Sequence, residues 1–176
     1  VSEGRVIFWI KDFTFAAYRQ IFKAGNLGRA FGNTVFYSVV GSLISMVMTT
    51  MAAFTLSIRD LPFKKPITLL FMFTMWFGAG MMPTYINIKN LGLLDTRTAI
   101  LLHEVVSVWN LILMRSFFDS IPSEMEESAK IDGANEFVLF LKIYLPLSTA
   151  ALATIWLYYF VGRWNAYFWS MILLTD

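Results

Sequence analysis

Residues 34–58, TVFYSVVGSLISMVMTTMAAFTLSI, hold no charged side chain across 25 consecutive positions. At about 1.5 Å of rise per residue, a helix built on this run crosses a ~30 Å hydrocarbon core with some tilt. Gly32, Asn33 and Thr34 offer a polar start, and Arg59-Asp60-Leu61-Pro62 bring the charge and proline that end it. Within the run, Gly41, Ser42, Ser45, Ala52, Ala53 and Ser57 are small enough to let a second helix approach closely. The rest of the chain has the same character. Of its 176 residues 57% are hydrophobic and only 15% are charged, and the mean hydropathy is +0.61, outside the balance of a soluble domain. The expected fold class is therefore all-α, a polytopic transmembrane helical bundle.

Three more apolar runs follow. Pro66–Ile88 is uncharged; Pro66 suits a first helical turn, and Gly78, Gly80 and Pro83 bend or break its far half. In the loop 89–97, Asp95 and Thr96 can cap the next helix. Thr98–Phe118 forms a third segment, carrying His103, Glu104 and Asn110, whose polar groups at membrane depth must face protein or water. Ile143–Gly162 is a fourth, and Trp164–Thr175 is too short to cross alone and reads as interfacial or re-entrant. The first 33 residues mix Trp9, Phe13, Phe15, Tyr18 and Phe22 with basic side chains, as an amphipathic surface segment would. The expected division is thus a surface segment over 1–33 and a transmembrane domain over 34–176 with four spans. Because the chain starts at Val1 without methionine and stops just after an apolar run, it is expected to be a piece of a longer protein. Lys and Arg do not set the orientation: the two loops on the side of the charged stretch 119–142 carry six, and the opposite side carries eight.

Composition removes several function classes. A net charge of +2, scattered along the chain, gives no footprint for nucleic acid. No cysteine means no disulfide, thiolate metal site or cysteine nucleophile, and a single histidine makes a histidine-based metal site an unfavoured expectation, so no metal is expected. His103 and Glu104 invite an intramembrane acid–base reading. They lack a third member, however, and adjacent residues on a helix face different ways. No Gly-x-x-x-x-Gly-Lys-Ser/Thr run is present to cradle phosphates, so no ATP is expected on this chain.

The most charged stretch, 119–142, lies between the third and fourth apolar runs. Ser120 or Ser123 can cap a short helix there, with Pro122 near its first turn and Glu124, Glu126 and Glu127 at the positive end of its dipole. Met125 and Ala129 share a face, and Ala129 is small enough to let a partner surface come close. Glu127 offers a carboxylate that could pair with a basic group across an interface. Gly133 can break this helix and Asn135 can cap the next. In that second helix Phe137, Phe140, Leu141 and Tyr144 follow i, i+3, i+4, i+7 spacing, which predicts one apolar stripe. Pro146 marks the junction with the fourth run. A helix-turn-helix at a membrane exit has the shape of a lever.

Glu127-Ser128-Ala129, three residues, Gly133, nine residues and Ile143-Tyr144-Leu145-Pro146 resemble the Glu-Ala-Ala signature of the permeases of ABC importers, with Ser128 in place of the middle alanine. Asp132 and Ala134 complete Ile-Asp-Gly-Ala. Pro83-Thr84-Tyr85, 91–96, 113–118, Ile121-Pro122 and Trp164-Asn165 are similar to the smaller permease subunit of maltose-type sugar importers, in the branch associated with complex and acidic oligosaccharides such as alginate. The resemblance implies that 119–146 holds a cytoplasmic coupling helix, with Glu127, Ser128, Ala129, Asp132, Gly133, Ala134 and Pro146 as its ATPase-coupling residues. It implies six spans in the intact subunit, in a bacterial inner membrane, with 1–33 on the outer side. The implied partners are a second permease subunit, two ATPase subunits that bind ATP and Mg, an extracytoplasmic solute-binding protein, membrane lipid and an oligosaccharide. Tyr85, Asn87, Asn110, Trp164 and Asn165 are groups of the kind that stack on or hydrogen-bond to sugars, and are candidates for the substrate path. The competing expectations are a permease for another solute, an intramembrane enzyme with His103 or Glu104 as acid/base, and a purely structural membrane subunit.

Overall fold

The structure is a computed structural model that describes Phe15, Arg19 and residues 27–174. The chain divides after Val35 into two compact units, and the core and the candidate site both lie in the larger, Phe36–Asp176. Every described element is helical. The expected surface segment over 1–33 lies outside the described residues, apart from Phe15, Arg19 and 27–33.

Helix α1, Leu27–Ser57, is 31 residues long. It already runs through 32–34, so the polar start expected there is not a cap. Thr34 instead donates its hydroxyl back to the Ala30 carbonyl at 3.1 Å. The buried face of α1 is Ser38, Ser42, Ser45 and Thr49, each fully buried, with Gly41 and Ala53 alongside. Its outer face shows Leu43, Val47 and Met51, 51–54% exposed. A helix in water hides hydrocarbon and shows hydroxyls. This one does the reverse, which suits a helix whose solvent is lipid and whose contacts with other helices rest on small side chains and hydrogen bonds.

The second apolar run is two helices, α2 (Lys64–Trp76) and α3 (Met81–Asn90), bent by 116° at the break between them. Gly80, immediately before α3, has φ +84°, a conformation that glycine adopts without a Cβ penalty. The break predicted around Gly78, Gly80 and Pro83 is therefore present. It is sharp enough to turn the chain back.

The third run differs from expectation. Thr98–Phe118 is not one helix but α4 (Arg97–Leu102) and α5 (Val108–Asp119), separated by residues 103–107. Thr96 caps α4 and Ser107 caps α5, each accepting a backbone N–H with its hydroxyl. The apolar character of the run is continuous; its hydrogen bonding is not.

Beyond α5 come α6 (Ser123–Ile131), α7 (Glu136–Leu139), a π-helical turn over Phe140–Tyr144, α8 (Leu145–Leu147), α9 (Thr149–Trp164) and α10 (Tyr167–Leu173). The segment Glu136–Leu147 and α9 meet at 84°, with the bend at Ser148. Pro146 lacks an N–H and its ring crowds the carbonyl four residues back, so a widened turn just before it is physically apt. Among the described residues one helix, α1, is long and apolar enough to cross a membrane alone, and up to three spans result if each bent pair counts as one. The four spans expected from apolar runs are thus not four straight rods.

Two clusters form the core. The larger joins Ala53 and Phe54 of α1, Met114 and Phe118 of α5, Leu139, Phe140 and Tyr144 around the π turn, and Ala151, Ile155 and Tyr159 of α9. The smaller joins Ile88, Ala99, Ile100 and Leu173, and the Asp95 N–H donates to the Leu173 carbonyl at 2.9 Å. The short α10 is thereby tied to the loop before α4.

Candidate functional site

The elbow between α5 and α9 starts where Phe118 goes into the core and Pro122 stops α5 from continuing. Neither Ser120 nor Ser123 caps α6. Pro122 occupies the cap position without a side-chain bond, and the Ser120 hydroxyl donates to the Phe117 carbonyl at 2.6 Å, on the end of α5. Glu124 and Glu126 lie in the first turn of α6 and Lys130 in its last, which matches the helix dipole at both ends.

Gly133 ends α6. The Gly133 N–H donates to the Lys130 carbonyl at 3.0 Å and the Ala134 N–H to the Ala129 carbonyl at 2.9 Å, the paired bonds of a Schellman motif. This closure needs the left-handed conformation at Gly133, where φ is +83°. A Cβ there would meet nothing within 4 Å, so the demand for glycine comes from the backbone alone. Asn135 caps α7 as expected, accepting the Val138 N–H at 2.9 Å.

The elbow is fastened to the core through Glu126, a residue that sequence reading noted only as a charge at the helix start. Its Oε1 accepts from Lys130 Nζ at 2.6 Å and its Oε2 from the Tyr144 hydroxyl at 3.0 Å. Lys130 also lies 3.3 Å from Glu136, which links α6 to α7. The Lys130 hydrogen bond holds the Glu126 carboxyl below its ordinary range; partial burial opposes this and the Tyr144 bond assists it. Lys130 is raised in turn, chiefly by its bond to Glu126. The Lys130–Glu126 spacing of four was a readable signal. The Tyr144 bond, 18 residues away, was not. Tyr144 itself is buried against Phe54 and Phe118, with ring centroids 4.9 and 5.4 Å away, so a pull on Glu126 reaches α1 and α5 through one side chain.

The other expected coupling residues divide into two groups. Glu127, Ser128, Asp132 and Gly133 are exposed, and so is Pro146; Ala129 and Ala134 are partly buried. Ala129 packs inward against the larger core cluster, so its small size serves the elbow's own packing. The predicted stripe also splits. Phe140 and Tyr144 are buried while Phe137 and Leu141 are exposed, because the π turn over 140–144 shifts the helical register. The exposed set acquires company. Ile131 is 87% exposed and Phe137 65%, and Met125 and Leu141 are also open, as are Glu127 and Asp132.

The five candidate sugar-binding groups stand in different settings. Tyr85 packs against the smaller core cluster and Asn87, two residues on, is exposed. Asn110 is buried in the first turn of α5. Trp164 stacks on Phe160 with centroids 5.9 Å apart, and Asn165 gives its amide to the Val161 carbonyl of its own helix at 2.9 Å. Among the described residues no hydrogen bond joins Tyr85, Asn87, Asn110 and Asn165 to one another. His103 packs its ring on Trp169, centroids 4.2 Å apart, and no group of three or more His, Cys, Asp or Glu side chains that could hold a metal occurs among the described residues.

Residues 27–176 match the family described as the inner membrane component of binding-protein-dependent transport systems. The chain is 44% identical over 164 residues to the polygalacturonan/rhamnogalacturonan transport system permease protein YtcP of Bacillus subtilis, covering 93% of this chain and 57% of that one. It is 40% identical over 166 residues to the protein LplC of the same organism, covering 94% and 56%. Among solved structures it superposes with a TM-score of 0.90 and 39% identity on a chain of a bacterial ABC transporter involved in the import of the acidic polysaccharide alginate, over 99% of this chain and 62% of that one. The chain thus spans less than two thirds of the length of each of these relatives.

Proposed function

The chain belongs to the family of inner membrane components of binding-protein-dependent transport systems, and on that premise we propose that it is the membrane-embedded part of a permease subunit in an ATP-driven importer of oligosaccharides, acidic ones included. Its task is to form part of the path and to pass on work done by another chain. The partners in this reading are a second permease subunit, two ATPase subunits that bind ATP and Mg, and an extracytoplasmic solute-binding protein, all assembled in a bacterial inner membrane. The names of the relatives, which transport or import polygalacturonan, rhamnogalacturonan and alginate, support the acidic class of substrate.

The observation that carries this reading is the construction of the elbow. Its exposed residues include the apolar side chains of Met125, Ile131, Phe137 and Leu141 and the carboxylates of Glu127 and Asp132, the mixture of apolar and charged groups that protein interfaces use. Its inner side is fixed to α1 and α5 through Glu126 and Tyr144. A body that docks on one side and is rigidly tied on the other transmits displacement. Glu127, Ser128, Asp132 and Gly133 are assigned to the docking side, Ala129 and Ala134 to the inner packing of the elbow, and Pro146 to the turn that hands it to α9.

The test is reconstitution of the complete transporter with Glu127→Lys in this subunit. The expected result is normal membrane insertion with a loss of ATPase binding or of substrate-stimulated hydrolysis, by about tenfold if one interfacial charge pair is reversed. Unchanged stimulation would refute the docking role.

A further inference from the structure

Residues 103–107 interrupt the third apolar run, and an interruption of this kind leaves backbone groups without helical partners. The structure supplies three of those partners from a single face of α9. Arg163 donates through Nη1 to the Ile100 carbonyl at 3.1 Å and through Nη2 to the Leu101 carbonyl at 3.1 Å, so a cation closes the carbonyl end of α4. One turn earlier on α9, the Tyr159 hydroxyl accepts the Ser107 N–H at 2.9 Å, at the start of α5. Both sides of the break are held by residues four apart.

The same two residues are also fixed to α1. Arg163 Nη2 donates to the Ser45 hydroxyl at 2.9 Å, and the hydroxyls of Tyr159 and Thr49 share a 2.6 Å bond. Ser45 and Thr49 are again four apart. The Arg163 side chain lies across Gly41, where an added Cβ would stand 2.8 Å from Cδ and Nη1. Glu104, inside the break, takes the left-handed conformation with φ +48°, which a non-glycine residue keeps only when its surroundings enforce it.

From this we propose that Tyr159 and Arg163 are a clamp that locks the break between α4 and α5 to the axial position of α9, so that displacement of the elbow at one end of α9 reaches the break at the other. They are positioning residues. The two ends of α9 are about 20 Å apart at 1.5 Å per residue. Hydrogen bonds of this kind fail when stretched by much more than a few tenths of an ångström. A slide of α9 by about 1 Å therefore either carries the break and α1 with it or ruptures the clamp. This inference rests on the transport reading above.

The experiment uses the complete transporter and two readouts, oligosaccharide taken up per ATP hydrolysed, and thiol labelling of Val105→Cys in the break. The chain has no cysteine of its own, so that labelling, read on this chain's peptide by mass spectrometry, reports one position. With the clamp intact, the labelling rate is expected to differ several-fold between nucleotide-free and nucleotide-trapped complexes. Tyr159→Phe, which loses the bonds to both Ser107 and Thr49, and Thr49→Val, which loses one, are expected to lower uptake per ATP by about tenfold and fivefold, and to make labelling independent of nucleotide. Thr49→Ser, which keeps the hydroxyl, is expected to behave as the unsubstituted protein. If Tyr159→Phe fails to insert, Thr49→Val against Thr49→Ser decides alone. A brace with no part in transmission would lower the amount of complex and leave uptake per ATP and the nucleotide dependence of labelling unchanged, which would overturn the clamp. Absence of ATP-driven uptake in the unsubstituted complex would instead overturn the transport reading, and the clamp with it.

Discussion

Two neighbouring carboxylates in α6 stand in different settings. Glu127 points to solvent; Glu126 bonds Lys130 and Tyr144. Tyr144→Phe removes one bond to a charged acceptor and is expected to weaken the elbow's attachment by about 1.5–3 kcal/mol, seen as faster hydrogen exchange at the amides of Gly133 and Ala134. The pH dependence follows from the two shifts. A carboxyl held low in the folded chain contributes fully above its ordinary pKa and loses that contribution as pH falls through the depressed value. A lysine held high contributes fully below its ordinary pKa and loses it as pH rises through the raised value. Protection of the elbow amides, corrected for intrinsic exchange, is therefore expected to be flat from about pH 5 to about pH 10 and to fall on either side. At Gly41, where Arg163 occupies the space of a Cβ, alanine is expected to cost more than the ~1 kcal/mol of a simple small-to-large change, read as lost thermal stability of the purified complex. Glu127 was singled out from the sequence because its neighbours form a recognisable spacing. Glu126 was not, because what distinguishes it is a tyrosine 18 residues away.

Among the elements, the elbow and the broken helices show where sequence patterns run out. Gly133 and Asn135 were readable as stop and start because each acts on its own backbone. The stripe over Phe137–Tyr144 was read with a uniform helical period, and the π turn before Pro146 divided it into buried and exposed pairs. Thr98–Phe118 was read as one helix because apolarity is continuous there. Its interruption depends on donors and acceptors from α9, which no local window contains. The closure of α6 yields a graded prediction. Gly133→Ala meets no steric neighbour and is expected to cost about 1 kcal/mol through its backbone conformation. Gly133→Pro cannot adopt that conformation and loses the bond to Lys130, so it is expected to abolish substrate-stimulated ATPase activity. If proline and alanine act equally, the Schellman closure is not what the elbow depends on.

For the molecule as a whole, the membrane environment was plain from composition, but the number of crossings was not, since apolar runs do not reveal where a chain turns back. The substrate class is a matter for the assembled transporter. In the proposed transporter, galacturonate or mannuronate oligosaccharides delivered by a binding protein are expected to stimulate ATP hydrolysis several-fold more than neutral oligosaccharides of equal length, and equal stimulation would remove the acidic preference. A different consequence comes from α1, which hides its hydroxyls and displays its hydrocarbon. Set free in the cytosol, such a rod would adhere to almost anything greasy, its own copies included. The nascent polypeptide must therefore meet lipid, or a shielding chaperone, while the ribosome is still making it.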